Sequence, residues 1–344
     1  MKDKKFRWLM LILLVVLAIS IILGVNIGYA KINFNHVLKI ILSKIGFGVD
    51  VSGIRPQDFD IIYLIRLPRL ILALVVGMSL GVSGLVMQAV VKSPLAYPYV
   101  LGISSGATFG ATLGITLGIN RIFGSNAIGV CAFIGAFAIA IMVVVLSNIG
   151  SQSSTSKLLL SGIALSTAMN TLSSVLIFLS SNREASRELT FWLMGSLAGA
   201  KWENLTRIAP IIFLCTLVFF TQHRNLDLAL LGDDIAITMG VNLNKLRHIY
   251  LLIISIMIGF VVYVSGIIGF IGLIIPHVAR FIVGNSHKKL VFLSAILGSI
   301  LLIWADIASR VLIPSTELPT GVVVALIGAP LFIYLIITKS FRRN

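Results

Sequence analysis

The chain repeats the stretch LVVGMSLGVSGLVMQAVVKSPLAYPYVLG (74–102) in a related form 182 positions later, as IMIGFVVYVSGIIGFIGLIIPHVARFIVG (256–284). Both stretches contain Val-Ser-Gly and a proline ten residues after that glycine. A constant offset indicates an internal repeat, and independent use of glycine for close helix packing is the alternative. The matched pairs are Gly77 and Gly259, Val82 and Val264, Ser83 and Ser265, Gly84 and Gly266, Pro94 and Pro276, and Gly102 and Gly284.

Composition indicates that the chain folds in a lipid bilayer. Its 344 residues are 58% hydrophobic and only 11% charged, whereas a soluble domain carries about 25% charged residues. So few charges cannot cover the surface of a water-soluble globule of this size. The net charge of +15 does not indicate nucleic-acid binding, because most of the cations flank apolar runs, where they act as topology signals and headgroup anchors.

Apolar segments predict an all-α, polytopic membrane protein with about ten transmembrane helices. A spanning helix needs about 20 apolar residues, and shorter pieces occur where the backbone is broken inside the protein. Two of the predicted spans are of this second kind, one being rich in glycine and one being short. The ten spans are 8–28, 67–91, 97–118, 126–148, 157–180, 205–222, 248–270, 271–284, 289–312 and 318–337.

Both termini are expected on the cytoplasmic side. An even number of spans returns the chain to the side where it began, and basic residues precede the first span and follow the last. The N-terminal run also resembles a signal peptide, but it is long enough for a full span, so we expect an uncleaved first helix. The basic residues are Lys2, Lys4, Lys5, Arg7, Lys339, Arg342 and Arg343.

The two copies of the repeat begin five spans apart, so they cross the membrane in opposite directions. This is an inverted-topology repeat, an arrangement that lets transporters open to alternate sides. We expect one transmembrane domain over 1–344, with repeat halves of about 66–180 and 248–337.

Helix breakers in the repeat mark the predicted transport pathway. Proline removes a backbone donor and glycine permits sharp reversals. Broken backbone at membrane depth is tolerated where it is buried in protein or lines a cavity. The predicted pathway and helix-break residues are Gly84, Gln88, Pro94, Gly102, Gly266, Pro276 and Gly284.

Several motifs, in order along nearly the whole chain, make it similar to a known family. The chain resembles the permease subunits of importers for iron-siderophore complexes, haem and cobalamin. It departs from the family at Lys92-Ser93, where Arg-Asn is common before Pro-Leu-Ala. The matching stretches are RLPR (66–69), SGLVMQ (83–88), SPLAYPYVLGISSGA (93–107), LSGIAL (160–165), LGDDIAITMGV (231–241), GFIGLIIPHVAR (269–280), ADIASR (305–310) and ELPTGVVVALIGAPLFIYL (317–335).

The resemblance implies a set of partners and a cellular location. It implies a permease dimer, made of two copies or of one copy and a paralogue, with two cytoplasmic ATPase subunits and an external substrate-binding protein. It implies the cytoplasmic (inner) membrane of a bacterium and a ferric siderophore as the first choice of cargo, with haem and cobalamin as alternatives. No cofactor is expected on this chain, since ATP and Mg²⁺ would bind the partner ATPase.

The loop 223–247 is the predicted point of contact with the ATPase. It is moderately amphipathic, and its two aspartates lie where a helix start favours carboxylates. A solvated connector is the alternative, but the resemblance places the docking helices here. The predicted coupling residues are Leu231, Gly232, Asp233, Asp234, Ala236, Gly240 and Val241.

Three arginines at the opposite face, Arg66, Arg69 and Arg310, are predicted to dock the binding protein. In the family, matching arginines meet carboxylates of that partner, and guanidinium binds carboxylate bidentately. Snorkelling toward headgroups is the alternative. Asp306 is expected to pair with Arg310 four residues on, in preference to relaying protons.

Two further features, one histidine and one loop segment, have expected roles. His277, beside Pro276, is expected to bond a freed carbonyl in preference to a metal. The segment 181–204 is expected to form a short helix, which the resemblance places at the mouth of the pathway together with the fifth and tenth spans.

Other functional classes are weighed against the permease. A secondary transporter would also use inverted repeats, but it commonly has intramembrane carboxylates, and Asp306 stands almost alone. An intramembrane metalloprotease would need His-Glu-x-x-His, which is absent. No GxxxxGK[ST] phosphate loop occurs either, so ATP-driven transport would take its energy from a partner chain.

Overall fold

The structure, a computed structural model, is built from helices and contains no strand in the residues it describes, which are 3–28, 30, 32–45, 50, 53–119, 127–149, 155–180, 183–231, 236, 238–313 and 316–340. A π-helical turn, Ile61–Arg66, joins α3 to α4, and a 3-10 turn, Pro98–Leu101, precedes α5. The helices are α1 Asp3–Asn26, α2 Phe34–Ile45, α3 Pro56–Asp60, α4 Leu67–Val91, α5 Ile103–Thr116, α6 Ala127–Ser147, α7 Thr155–Leu179, α8 Arg183–Leu193, α9 Trp202–Thr221, α10 His223–Leu231, α11 Leu243–Ser265, α12 Ile271–Val283, α13 His287–Val311 and α14 Thr320–Ser340.

The predicted spans are confirmed in kind and order. Seven helices in the described residues are long and apolar enough to cross a membrane, namely α1, α3 continued into α4, α6, α7, α9, α11 and α13. The apolar helices α12 and α14 and the glycine-rich α5 lie where the other three spans were predicted. The short α8 lies within the expected segment 181–204.

Helix α4 forms the centre of the bundle and is the most deeply buried of the long spans. It packs closely on α13 because Gly77 and Gly298 face each other. A Cβ atom on Gly77 would lie 2.3 Å from the carbonyl oxygen of Gly298, far inside van der Waals contact. Small residues of this kind let two helix backbones approach within a membrane.

The pairing of helices follows the predicted inverted repeat. The second span, α4, packs on the ninth, α13, and the seventh span, α11, packs on the fourth, α6. Exchanging the two halves of the chain, which relates the second span to the seventh and the ninth to the fourth, converts the first pair into the second. The α11–α6 contact is also close, since a Cβ on Gly129 would lie 2.4 Å from the Tyr263 carbonyl oxygen.

The backbone breaks at different places in the two copies, which corrects part of the prediction. In the first copy, α4 runs unbroken through Gly84 and ends before Lys92, whose φ is 53°, and Pro94 follows in the loop. In the second copy, α11 already ends at Ser265, and Gly266 and Phe270 have φ of 65° and 63°.

The prediction that Pro276 breaks a helix is therefore wrong, and Gly84, grouped with the pathway and helix-break residues, lies inside an unbroken helix. Pro276 lies inside α12, because the chain reverses earlier at Gly266 and the helix restarts at Ile271. Gly84 serves packing instead, since a Cβ there would lie 1.9 Å from the Gly272 carbonyl oxygen. Gly102 and Gly284 do lie at helix ends, with φ of 82° and 79°.

The bundle has two ends that carry different chemistry. The arginine end contains the start of α4, the end of α13 and the start of α9, where the Trp202 indole donates to the Tyr63 carbonyl oxygen at 2.7 Å. The loop end contains the 223–247 segment and the start of α13. The start of α1 is also at the loop end, because the Lys289 ammonium lies 5.6 Å from the Phe6 ring centroid.

Candidate functional site

Arg69 is the centre of an ionic network at the arginine end. Its Nε donates to Asp306 Oδ1 at 2.7 Å, and its Nη1 donates to Glu317 Oε2 at 2.7 Å. Arg69 is 4% exposed and Asp306 is fully buried. One guanidinium thus joins α4 to α13 and to the segment that leads into α14.

The carboxylate of Asp306 is shared between two arginines. Arg310 Nη2 lies 3.2 Å from Asp306 Oδ2, so the predicted pair four residues apart is confirmed. Arg310 also donates from Nη1 to the Ile27 carbonyl oxygen at 3.1 Å, just beyond the end of α1. The pair is therefore one half of a larger buried cluster.

Arg66 fastens the end of α1 to the start of α4. Its guanidinium donates to the carbonyl oxygens of Val25 at 2.8 Å and Ala30 at 2.6 Å. Like Arg69 and Arg310, it is at most 5% exposed. All three arginines predicted to dock a partner thus have acceptors inside the chain, and the docking role stays a prediction.

A surface cavity of about 220 Å³ nevertheless opens onto this cluster. Its lining includes Arg66, Arg69, Arg310 and Glu317. The Glu317 side chain is 39% exposed, which makes it the most accessible charge of the network. Sequence reasoning missed Glu317, although it begins the quoted ELPTG stretch.

At the loop end, α10 is fastened to the start of α13. The Asp227 carboxylate accepts a hydrogen bond from the backbone N–H of His287 at 2.9 Å. Its Oδ1 also lies 2.7 Å from the Nδ1 atom of the His287 ring. His287 is fully buried. Neither residue was singled out from the sequence, because the 60 positions that separate them hide the contact.

The described part of the predicted coupling set forms a short capped element. Ala236 is buried with Ala229 and Leu243 in a small apolar cluster that Val241 also contacts. Gly240 has a φ of 77°, and the Val241 N–H returns to the Ala236 carbonyl oxygen at 2.9 Å, which ends the helical turn. Gly232, Asp233 and Asp234 lie outside the described residues.

Large apolar side chains project from this segment into open space. Leu231 is 58% exposed and Met239 is 63% exposed. Leu231 precedes Ala236 in the chain and Met239 follows it, so the segment exposes large apolar side chains on both sides of its buried alanine. Such a surface is typical of a site for a partner chain.

Gln88, Arg280 and His277 connect the two copies of the repeat. The Gln88 amide donates to the Leu273 carbonyl oxygen at 3.4 Å, and Arg280 donates to the Gln88 side-chain oxygen. His277 Nε2 lies 2.9 Å from the Pro94 carbonyl oxygen, so the histidine meets a carbonyl oxygen as expected, but one in the loop after α4 and not one freed in its own helix. The described residues contain no cluster of three metal-ligating side chains.

Most of the residues predicted to line the pathway are packed inside the bundle. Gly84, Gln88, Gly102, Gly266 and Pro276 are all buried, whereas Pro94 and Gly284 are exposed. Burial favours a role in helix contact for the first five, and a part for any of the seven in transport stays a prediction.

A polar face on α7 was not predicted residue by residue. This helix is the least buried of the long spans. Thr167 and Thr171 return their hydroxyls to carbonyl oxygens of their own helix, at 3.0 and 2.9 Å. The exposed Asn170 amide has no side-chain partner among the residues that the structure describes. An unpaired amide is unfavourable in hydrocarbon, so we expect Asn170 to meet water or another chain. The sequence signal is the polar run STAMNTLSS, 166–174.

The bundle has ten spans in an inverted repeat, an exposed polar face on α7 and a loop segment bound to the start of α13. This architecture is typical of the membrane permeases of transport systems. The sequence model of the FecCD transport family matches residues 12–338, and the chain belongs to that family.

Several relatives match over nearly their whole length. The chain is 35% identical to the hemin transport system permease protein HmuU of Yersinia pestis, covering 97% of this chain and 96% of the relative. It is 34% identical to the probable siderophore transport system permease protein YfiZ of Bacillus subtilis, covering 97% of each. It is also 34% identical to the vitamin B12 import system permease protein BtuC of Vibrio vulnificus, covering 98% and 96%.

A solved structure agrees with this assignment. A metal-chelate type ABC transporter in an inward-facing conformation has a TM-score of 0.84 and 30% identity, covering 96% of this chain and 99% of that chain. The chain is thus a multi-pass permease of the ABC importer class, which is a transport component.

Proposed function

We propose that this chain carries a ferric siderophore-type metal chelate inward across the cytoplasmic membrane of a bacterium. Two partner ATPase subunits supply the energy, and an external binding protein delivers the cargo. The observation that carries the proposal is that one helix, α13, joins the 223–247 segment at one end of the bundle to the arginine cluster at the other.

Helix α13 is suited to transmit movement between these ends. Its 25 residues span about 37 Å at 1.5 Å per residue. Asp227 holds its first residue, and Arg69 binds Asp306 near its last turn. A helix that is bound at both ends moves as a rigid body. A displacement of α10 would therefore move α13 and, with it, the arginine cluster at its other end.

The ATPase would contact the 223–247 segment. The exposed side chains of Leu231 and Met239 support this site, and the family resemblance supports the remaining coupling residues. ATP and Mg²⁺ would be held by the partner, since this chain contains no phosphate-loop motif. The N-terminus would then be cytoplasmic, because the start of α1 lies at the same end, and the even number of spans would return the C-terminus to that side.

The pathway would form between the polar face of α7 and a second permease chain, which is either another copy or a paralogue. A hydrated chelate is bulky and polar, and Thr167, Asn170 and Thr171 offer it weak hydrogen bonds in place of a tight pocket. The cavity at Arg66, Arg69 and Arg310, with the accessible Glu317, would receive the binding protein.

The choice of cargo rests on the relatives. Their names include siderophore, hemin and vitamin B12 systems, and haem and cobalamin are the alternatives for this chain. All three are large metal chelates that a broad pathway accepts, and we favour the ferric siderophore.

Reconstitution tests the proposal. The experiment reconstitutes the permease in proteoliposomes with the ATPase encoded beside it and with the binding protein. Labelled ferric siderophores, haem or cobalamin are then offered as cargo. ATP-dependent uptake of one ferric siderophore is expected, and an ATPase that lacks its catalytic base is the matched control. Uptake driven by an ion gradient without the ATPase would contradict the permease assignment, whereas ATP-driven uptake of haem or cobalamin alone would contradict only the cargo.

A further inference from the structure

An open groove of about 720 Å³ runs along the side of the bundle between α1, α4, α9 and α13. Its lining is apolar and includes Leu14, Ile71, Met78, Ala209, Phe213 and Ala295. The volume lies within the range of about 300–1,000 Å³ typical of small-molecule sites.

The two hydroxyl groups in the lining already donate hydrogen bonds within the chain and need no acceptor from a bound molecule. Ser299 donates to the Leu74 carbonyl oxygen at 2.8 Å, and Thr206 donates to the Glu203 carbonyl oxygen at 3.0 Å. The groove therefore offers dispersion contacts and no hydrogen bonds. A polar chelate would gain little there, whereas a hydrocarbon chain would fit its chemistry.

The length of the groove matches one leaflet of a bilayer. Along α9 it extends from Trp202 to Phe213, a rise of about 16 Å at 1.5 Å per residue. The hydrocarbon core of a bilayer is about 30 Å thick, so the groove reaches from one interface to about the midplane. Trp202 sits at the arginine end, where an indole marks the interface.

Two lysines lie near the Trp202 end of the groove, which is its mouth at the arginine end. Lys201 is exposed and adjoins Trp202. The Lys44 ammonium lies 4.5 Å from the Tyr63 ring centroid, and that ring lies 5.4 Å from the Trp202 ring. Arg207 is nearby but is paired with Glu203 at 2.9 Å. Neither lysine has a carboxylate partner in the described residues, which favours an anionic group at the mouth.

We propose that the groove binds one acyl chain of an anionic phospholipid from the leaflet at the arginine end, with its phosphate between Lys44 and Lys201. The lipid would complete the packing of α1 and α9, which are among the less buried long helices. The proposal is independent of the cargo and of the ATPase.

Lipid retention by the purified full chain tests the groove directly. Native mass spectrometry after extensive detergent washing is expected to show one retained phospholipid per chain, taken from vesicles of phosphatidylglycerol and phosphatidylcholine. Ala209→Trp fills the groove and should abolish retention. Leu214→Trp, an exposed position on the same helix outside the groove, should not. Equal retention by the two variants, or none by the wild type, would overturn the proposal.

A fluorescence measurement tests the same groove without the Ala209→Trp substitution, so it does not depend on whether that variant folds. Trp8, Trp192 and Trp304 are replaced by Phe, which leaves Trp202 as the single fluorophore. Phosphatidylglycerol with brominated acyl chains should quench Trp202, and quenching should persist after washing into detergent. Quenching that disappears on washing would mean an exchanging annular lipid only and would contradict a bound chain.

Headgroup preference separates a charged mouth from a purely apolar groove. Lys44→Gln with Lys201→Gln should remove the preference for phosphatidylglycerol over phosphatidylcholine. Lys245→Gln with Lys288→Gln, two exposed lysines at the loop end, is the matched control. An unchanged preference in the first pair, or a loss of preference in the second, would overturn the assignment of the anionic headgroup.

Discussion

Asp306 is the residue on which the arginine end depends. Its buried carboxylate meets Arg69 at 2.7 Å and Arg310 at 3.2 Å, so removing its charge leaves two buried guanidinium groups without their shared partner. Breaking a buried ion pair from one side typically costs about 3–5 kcal/mol.

Asp306→Asn is therefore expected to lower the thermal unfolding temperature of the purified protein and its level in membranes. Glu203→Gln is the control, because it removes an exposed pair with Arg207, which is worth at most about 1 kcal/mol. Similar unfolding temperatures for the two variants would show that the buried network does not hold this end together.

Gly84 marks the closest approach between the two copies of the repeat. Gly84→Ala would place a methyl group 1.9 Å from the Gly272 carbonyl oxygen, so α4 and α12 must separate. Overpacking typically costs about 1–3 kcal/mol. We expect a lower unfolding temperature, whereas Gly199→Ala, where a Cβ meets nothing within 4 Å, should leave it unchanged. Equal unfolding temperatures for the two variants would contradict the close approach.

Among the elements, α10 and α13 form the link between the loop segment and the bundle. Asp227→Ala removes the hydrogen bonds to His287. Hydrogen bonds to charged groups are worth about 1.5–3 kcal/mol, and 1.4 kcal/mol corresponds to a factor of ten. Cargo uptake per ATP hydrolysed in proteoliposomes is expected to fall about tenfold.

Two controls separate transmission from assembly at this link. The ATPase should still co-purify with Asp227→Ala, and Asp227→Glu should restore part of the uptake because it keeps the carboxylate. Loss of the ATPase from the complex would instead assign Asp227 to docking.

The polar face of α7 is predicted to be accessible to water. In a chain whose Cys131 and Cys215 are replaced by serine, Thr167→Cys and Asn170→Cys should react with a membrane-impermeant thiol reagent. Val145→Cys on α6, an exposed apolar position, should not react. Reaction at none of these positions would mean that the α7 face is turned toward lipid.

On the scale of the whole molecule, the two ends of the bundle are predicted to face opposite sides of the membrane. Met239→Cys at the loop end should react with an impermeant reagent in inside-out vesicles only, and added ATPase should protect it. Leu312→Cys at the arginine end should react in intact cells. Labelling of Met239→Cys from the outside of intact cells would exclude ATP-driven coupling through 223–247.

The long spans, their order and the two-fold repeat were predictable because hydrophobicity and glycine spacing are properties of consecutive residues. The pair between Asp306 and Arg310 was predictable for the same reason, since one helical turn separates them. The family could also be recognised from motifs in order.

Contacts between distant parts of the chain were decided by the tertiary structure. Arg69 meets Glu317, which is 248 positions away, and only the packing of α4 on α13 brings the two together. The sequence also did not decide which predicted break residue is used, because the chain reverses at Gly266 and α12 then runs on through Pro276. Composition and spacing thus determined the membrane-spanning architecture, whereas the buried charge cluster, the α10–α13 link and the lateral groove arose from helices whose facing surfaces no local pattern specifies.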